Sequence, residues 1–184
     1  MIEVKEISIE EFEDKIKDKY EDLFVEEEKR DWDTIKDAYN NDFEKFYAIY
    51  SDNTMIGFFM LEKIDNYPYY LDYIGIFKEY QSKGYGSESM RKLLTDIVKE
   101  DGLIGEVEKV TDEDPVTVKR WRFYERSGFK KLEDACFLFR IIYNIIIYPT
   151  DFNITGRKAG EILLDYYKMN IGEEETKKVC KIID

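Results

Sequence analysis

Gln81, Gly84 and Gly86 stand in the spacing Q-x-x-G-x-G, inside the stretch Lys78-Glu-Tyr-Gln-Ser-Lys-Gly-Tyr-Gly-Ser87. That stretch follows an apolar run, Tyr70-Leu-Asp-Tyr-Ile-Gly-Ile-Phe77, and leads into residues spaced as a helix. Strand, glycine turn and helix in this order suit a phosphate. The glycines let the backbone turn its amides toward one point, and a helix N-terminus adds roughly half a positive charge there. The spacing is not GxxxxGK[ST], and GxGxxG fails at Ser89, so neither a Walker loop nor a dinucleotide fingerprint is present. Taken alone, GxG before a helix also reads as a plain turn.

The 184 residues contain no histidine. A Ser-His-Asp or Cys-His nucleophile, an HExxH zinc site and a His/Cys deaminase site all need an imidazole, so none can be built. Cys136 and Cys180 are too few for a disulfide scaffold or a four-cysteine zinc site and read as two reduced thiols. No metal centre is expected. Proton transfer is left to carboxylates and phenols.

These residues must be positioned by a folded frame, and the composition supports one. Apolar residues make up 43% and aromatics 16%, enough for a sizeable core in one domain over 1–184. Residues 2–8 read as a strand, 9–30 as a helix with Ile9, Phe12, Ile16, Tyr20, Leu23 and Phe24 inward, and 32–40 as a second helix. Runs at 45–51, 54–63 and 69–77 are separated by turn residues and suggest an antiparallel meander. Met90, Leu93, Leu94, Ile97 and Val98 form the stripe of an amphipathic helix. A strand at 103–108 follows. A helix opens at Asp114-Pro115 and closes before Gly128. The run Phe137 to Tyr148 reads as one or two strands, 157–169 as a helix with Ile162, Leu163 and Tyr166 inward, and 170–184 as a marginal charged tail, so that 149–184 form a C-terminal helical extension.

Gln81-Ser82-Lys83-Gly84-Tyr85-Gly86 resembles the acetyl-CoA-binding motif of the GNAT superfamily of N-acetyltransferases, written Q/R-x-x-G-x-G/A. Residues 120–129, RWRFYERSGF, resemble the later block of that family, where a helix carrying a tyrosine ends in a Gly-Phe pair. Element order matches over roughly 45–140. The resemblance implies an α/β fold with a mixed, mostly antiparallel sheet flanked by helices, splayed between the strands at 69–77 and 103–108 so that pantetheine enters. It implies acetyl-CoA as cosubstrate, with the main chain of Ile74 and Ile76 meeting the pantetheine and the amides of Ser82, Lys83, Gly84, Tyr85, Gly86 and Ser87 meeting the pyrophosphate.

Tyr124, in the later block, is implied as the acid that protonates the departing thiolate, with a core aromatic as the other reading. A phenol near pKa ~10 suits a thiolate leaving group. Glu106 is the first choice of base for the amine, with Glu108 on the same face by the period of two and Asp72 in reserve; each also reads as a sheet-end carboxylate. The asparagine that many members carry before the later helix is replaced by Asp112-Glu113-Asp114-Pro115, which puts any contact from this loop in doubt.

The formal charge is −13, which disfavours nucleic acid. Residues 1–45 supply most of the net negative charge and read either as a guide for a cationic amine or as a solvated face. Lys119, Arg120, Arg122, Arg126, Lys130 and Lys131 form a basic island that could meet a CoA phosphate or balance acidic neighbours. The start, charged from its third residue, carries no signal-like segment, and no run is long enough to span a membrane, so a cytoplasmic protein is expected. An exposed Tyr167 on the 157–169 helix would mark a homodimer contact, against a helix that only covers the core. The reading is an N-acetyltransferase acting on a primary amine of a small cationic molecule, peptide or protein; the alternative is a catalytically inactive acyl-CoA-binding or protein-interaction module of the same fold.

Overall fold

The computed structural model describes residues 1–111 and 114–183, with the side chains of Glu27, Asp134 and Ala135 set aside. Asp112 and Glu113, and with them the first half of the loop that replaces the family's asparagine, lie outside the described residues. The chain forms two compact units, Met1–Lys63 with Leu71–Lys99, and Ile64–Tyr70 with Glu100–Asp184.

The first unit runs β1 (Ile2–Ile7), α1 (Ile9–Lys15), α2 (Lys17–Leu23), α3 (Trp32–Asn40), β2 (Glu44–Ser51), β3 (Thr54–Glu62), β4 from Leu71 (Tyr69–Ile76 in all) and α4 (Tyr85–Leu93). β1 pairs antiparallel with β2, and β2 with β3, as the meander requires. Phe12, Ile16 and Tyr20 pack with Phe46, Phe58 and Tyr73 into one buried cluster. The helix expected over 9–30 is two helices with a break at Ile16, whose backbone leaves the helical region at φ −121°. The break keeps Ile9, Phe12, Ile16 and Tyr20 all buried. Beyond Leu23 the chain extends through Val25 and a short 3-10 turn at Glu26–Glu28. This carries Arg30 to the sheet, where the hydroxyls of Tyr20 and Tyr73 each accept its backbone N–H at 3.1 Å.

The second unit holds the start of β4, β5 (Leu103–Glu108), α5 (Pro115–Arg126), β6 (Lys130–Leu138), β7 (Ile141–Tyr148), α6 (Gly156–Ile171), α7 (Glu173–Val179) and β8 (Cys180–Ile183). Its strand order is β4-β5-β7-β6-β8. β4 and β5 are parallel, paired at Tyr69 with Leu103 and Tyr70 with Ile104. The β5–β7, β6–β7 and β6–β8 pairings are antiparallel. The mixed, mostly antiparallel sheet flanked by helices is thus as expected.

Two expectations are corrected here. The strand region after α5 is a hairpin beginning at Lys130, directly behind the Gly128-Phe129 pair and seven residues before the run that opens at Phe137. Its turn uses Phe139 and Arg140, both at positive φ (45° and 76°), where asparagine and glycine are the usual signal, and β6 carries a register shift between Lys131 and Ala135 that breaks its alternation. The charged tail is likewise ordered. Gly172, at φ 80°, ends α6, and the chain then forms α7 and β8, which pairs with β6 from Ala135 to Leu138.

Candidate active site

The glycine loop lies in the first unit and leads into α4. Gly84, at φ 84°, is the N-cap of α4, and no side chain caps the helix. Ser82 is also in the left-handed region at φ 61°. Gln81 fixes the start of the loop by donating from Nε2 to the Ile76 carbonyl at 2.8 Å, and Lys83 fixes its middle by donating from Nζ to the Glu79 carbonyl at 2.8 Å. Tyr85 packs edge-on to Tyr80. A Cβ added at Gly84 would meet nothing within 4 Å, so the space beside the first turn is open. The amides of Tyr85, Gly86 and Ser87 lie in that first turn, where backbone N–H groups have no partner within the helix. Ile74 and Ile76 are half-buried on β4, and the Ile76 carbonyl is occupied by Gln81.

Glu106 and Tyr124 belong to the second unit. Glu106 is half-buried on β5, and its Oε1 accepts from the hydroxyls of Tyr70 at 2.6 Å and Tyr167 at 2.7 Å. The two hydroxyls are 3.3 Å apart. Neither tyrosine is marked by sequence, since one is a strand residue beside the turn and the other lies on α6, far along the chain. Tyr167 is half-buried and engaged, not exposed as its helix pattern suggested.

Tyr124 is 8% exposed and packs edge-on to Phe123 and Phe129. Among the described residues its hydroxyl makes no hydrogen bond. Burial pushes its pKa up to about 12; Arg120 opposes the rise and the charge of Glu106 adds to it. The phenol therefore holds its proton across the physiological range, as a proton donor must. The same carboxylate helps raise the thiols of Cys136 and Cys180, after burial, so both cysteines are protonated and weak nucleophiles.

Glu108 is committed elsewhere, accepting from Arg120 Nη1 at 2.6 Å. Asp72, in the first unit, belongs to a buried cluster with Glu44, Glu62 and Arg30. Arg30 donates to Glu44 and Glu62 and lies 3.1 Å from Asp72. The three carboxylates reach within 4.8 Å of one another. Three acids to one guanidinium leave an excess of buried negative charge. Burial pushes Glu44 up to about 8 and Asp72 up to about 6, with Arg30 opposing in both. Of the basic island, Lys119, Arg122 and Arg126 line an open groove of about 520 Å3 with Pro115 and Val118. Arg120 is bound to Glu108, and Lys130 donates to the Phe152 carbonyl. No helix among the described residues is long and apolar enough to cross a membrane.

Known proteins resolve the family. No curated protein sequence matches the chain. Among solved structures, a protein from Bacteroides thetaiotaomicron assigned to the GNAT acetyltransferases superposes with a TM-score of 0.78 at 18% identity, covering 93% of this chain and 99% of its own. A GNAT family acetyltransferase from Elizabethkingia anophelis with acetyl-CoA bound gives a TM-score of 0.55 at 13% identity, covering 79% of this chain and 96% of its own. A protein from Bacillus anthracis assigned as a streptothricin acetyltransferase, in complex with acetyl coenzyme A, gives 0.55 at 18% identity, covering 82% and 98%. The family model of the GNAT acetyltransferases matches residues 3–129, taking in the glycine loop, Glu106 and the Tyr124 block. The chain belongs to the GNAT family of acetyltransferases.

Proposed function

We propose that this protein moves an acetyl group from acetyl-CoA to a primary amine of a small cationic molecule or of a peptide or protein, by direct attack in a ternary complex. The observation that carries the reading is the uncapped N-terminus of α4 behind Gly84, within a chain of this family. Acetyl-CoA bound to two structural relatives supports the choice of donor. The amides of Tyr85, Gly86 and Ser87 would hold the pyrophosphate, and the main chain at Ile74 and Ile76 the pantetheine. Neither role needs a basic side chain, which suits an acidic protein.

The chemistry forms a C–N bond and breaks a C–S bond. The amine must lose a proton and the thiolate must gain one. Glu106 is the acceptor of the first proton, directly or through water, and Tyr124 the donor of the second. Each step is asked for roughly 10² to 10⁴ in rate. The acid-rich residues 1–45 favour a cationic acceptor by raising its local concentration, an effect that fades with salt.

Thermal unfolding with acetyl-CoA tests the donor site. The melting temperature rises with acetyl-CoA concentration if the loop binds it, and an unchanged melting temperature at millimolar acetyl-CoA overturns the reading.

A further inference from the structure

The hydrogen-bond arrangement at Oε1 of Glu106 says more than that a carboxylate is present. Each phenol has one proton. At 2.6 and 2.7 Å, both protons are directed at the same carboxylate oxygen, and the 3.3 Å contact between the two phenols is left without one. Two phenolic protons given to one oxygen stabilise the carboxylate more than the neutral acid, whose carbonyl oxygen accepts less strongly.

The two phenols are themselves held. Tyr70 packs at 5.2 Å, tilted by 30°, against Tyr166, whose hydroxyl donates to the Pro68 carbonyl at 2.6 Å. Tyr167 is the next residue of α6 and packs against Phe139 at the β6–β7 turn. α6 is anchored further by Tyr67, which donates to Asp165 at 2.8 Å. Tyr124 on α5, Cys136 on β6 and Cys180 on β8 are all protonated groups whose acidities Glu106 weakens. Ile145 faces it from β7, and Glu108 on its own strand is taken by Arg120.

We infer that Tyr70 and Tyr167 are positioning residues that orient the carboxylate of Glu106 and keep it ionised as the base, and that Tyr167 brings α6, beyond the residues matched by the family model, into the catalytic apparatus. The inference rests on Glu106 being the base. Removing one phenolic donor makes the carboxylate less stable, so its pKa rises and its time as a base near neutral pH shortens.

The test uses the full-length protein with carboxyl-13C glutamate, the Glu106 resonance being identified by its loss in Glu106→Gln. In Tyr167→Phe the titration midpoint of Glu106 moves up by about one pH unit, and in Tyr70→Phe it moves the same way. Acetyl transfer in Tyr167→Phe falls below neutral pH and recovers toward wild type as the pH is raised, which a merely structural loss would not do. An unmoved Glu106 midpoint in folded Tyr167→Phe overturns the inference. Should Tyr167→Phe fail to fold, Tyr70→Phe decides by the same two readings. Full transfer by Glu106→Gln contradicts the base assignment and the inference with it. An inactive Glu106→Gln beside an unmoved pH profile in Tyr167→Phe overturns the inference alone.

Discussion

Tyr167 donates a hydrogen bond to Glu106 at 2.7 Å, joining a residue of α6 to the carboxylate proposed as the base. Glu106 lies within the stretch matched by the family and Tyr167 well outside it. The matched stretch therefore takes in the carboxylate but not the phenol of α6 that donates to it.

Glu106→Gln keeps the size of the side chain and can still accept from both phenols, but it cannot take a proton. Transfer should fall by about 10²-fold or more with acetyl-CoA affinity unchanged. Steady-state rates alongside calorimetric binding check this, and a variant with wild-type turnover shows that the base lies elsewhere.

Tyr124→Phe removes only a hydroxyl from a buried ring, so the edge-on contacts with Phe123 and Phe129 remain. The maximal rate should drop by about 10²-fold with little change in melting temperature. Because the phenol is pushed up to about 12, its deprotonation should produce no alkaline fall in rate below about pH 10. A turnover equal to wild type would leave Tyr124 as a packing residue.

Gly84→Ala separates binding from folding. The new methyl meets no protein atom within 4 Å, but the residue sits at φ 84°, so the cost to stability is a backbone term of about 1 kcal/mol. The same methyl intrudes on the space assigned to the pyrophosphate. Acetyl-CoA affinity should fall by at least tenfold, measured by titration calorimetry. Unchanged affinity would place the anion somewhere other than the N-terminus of α4.

The buried cluster around Arg30 makes stability depend on pH in the sense opposite to an ordinary salt-bridged carboxylate. Glu44 is raised from 4.5 to about 8 and Asp72 from 3.8 to about 6, by burial first. The folded state therefore holds protons that the unfolded chain has released. The resulting stabilisation is fully present below the unfolded values, near pH 4, and is lost as the pH rises through about 6 and then about 8. Between pH 6 and 8.5 the melting temperature should fall by several degrees, on the order of 1–2 kcal/mol. Glu44→Gln resembles the protonated acid and should flatten that slope. An equal fall in wild type and variant would remove the cluster as its cause.

The conformation of the glycine loop was legible in sequence because glycine positions report backbone directly, Gly84 standing at φ 84° before α4. α4 and the π-helical turn Leu94–Val98 that continues it were legible because Met90, Leu93, Leu94 and Val98 repeat on one face, and all four are buried. What stayed hidden was assembled by chain-distant contacts. Arg30, Glu44, Glu62 and Asp72 look like separate surface charges until the break at Ile16 and the extended segment after Leu23 bring them together. Tyr70 and Tyr167 meet only through the start of β4 and the docking of α6. The turn at Phe139 and Arg140 uses positive φ without the residues that announce it, and β8 is four residues long behind a highly charged helix.

The central claim is amine-dependent acetyl transfer, and the most direct measurement is release of free CoA thiol from acetyl-CoA across a panel of amines, comprising polyamines, aminoglycosides and lysine-bearing or amino-terminal peptides, at low and high salt. The account predicts thiol release that requires an amine, is strongest with a cationic acceptor at low salt, and is lost in Glu106→Gln. Acetyl-CoA binding with no amine-dependent thiol release across the panel would contradict it and leave a binding module of the same fold.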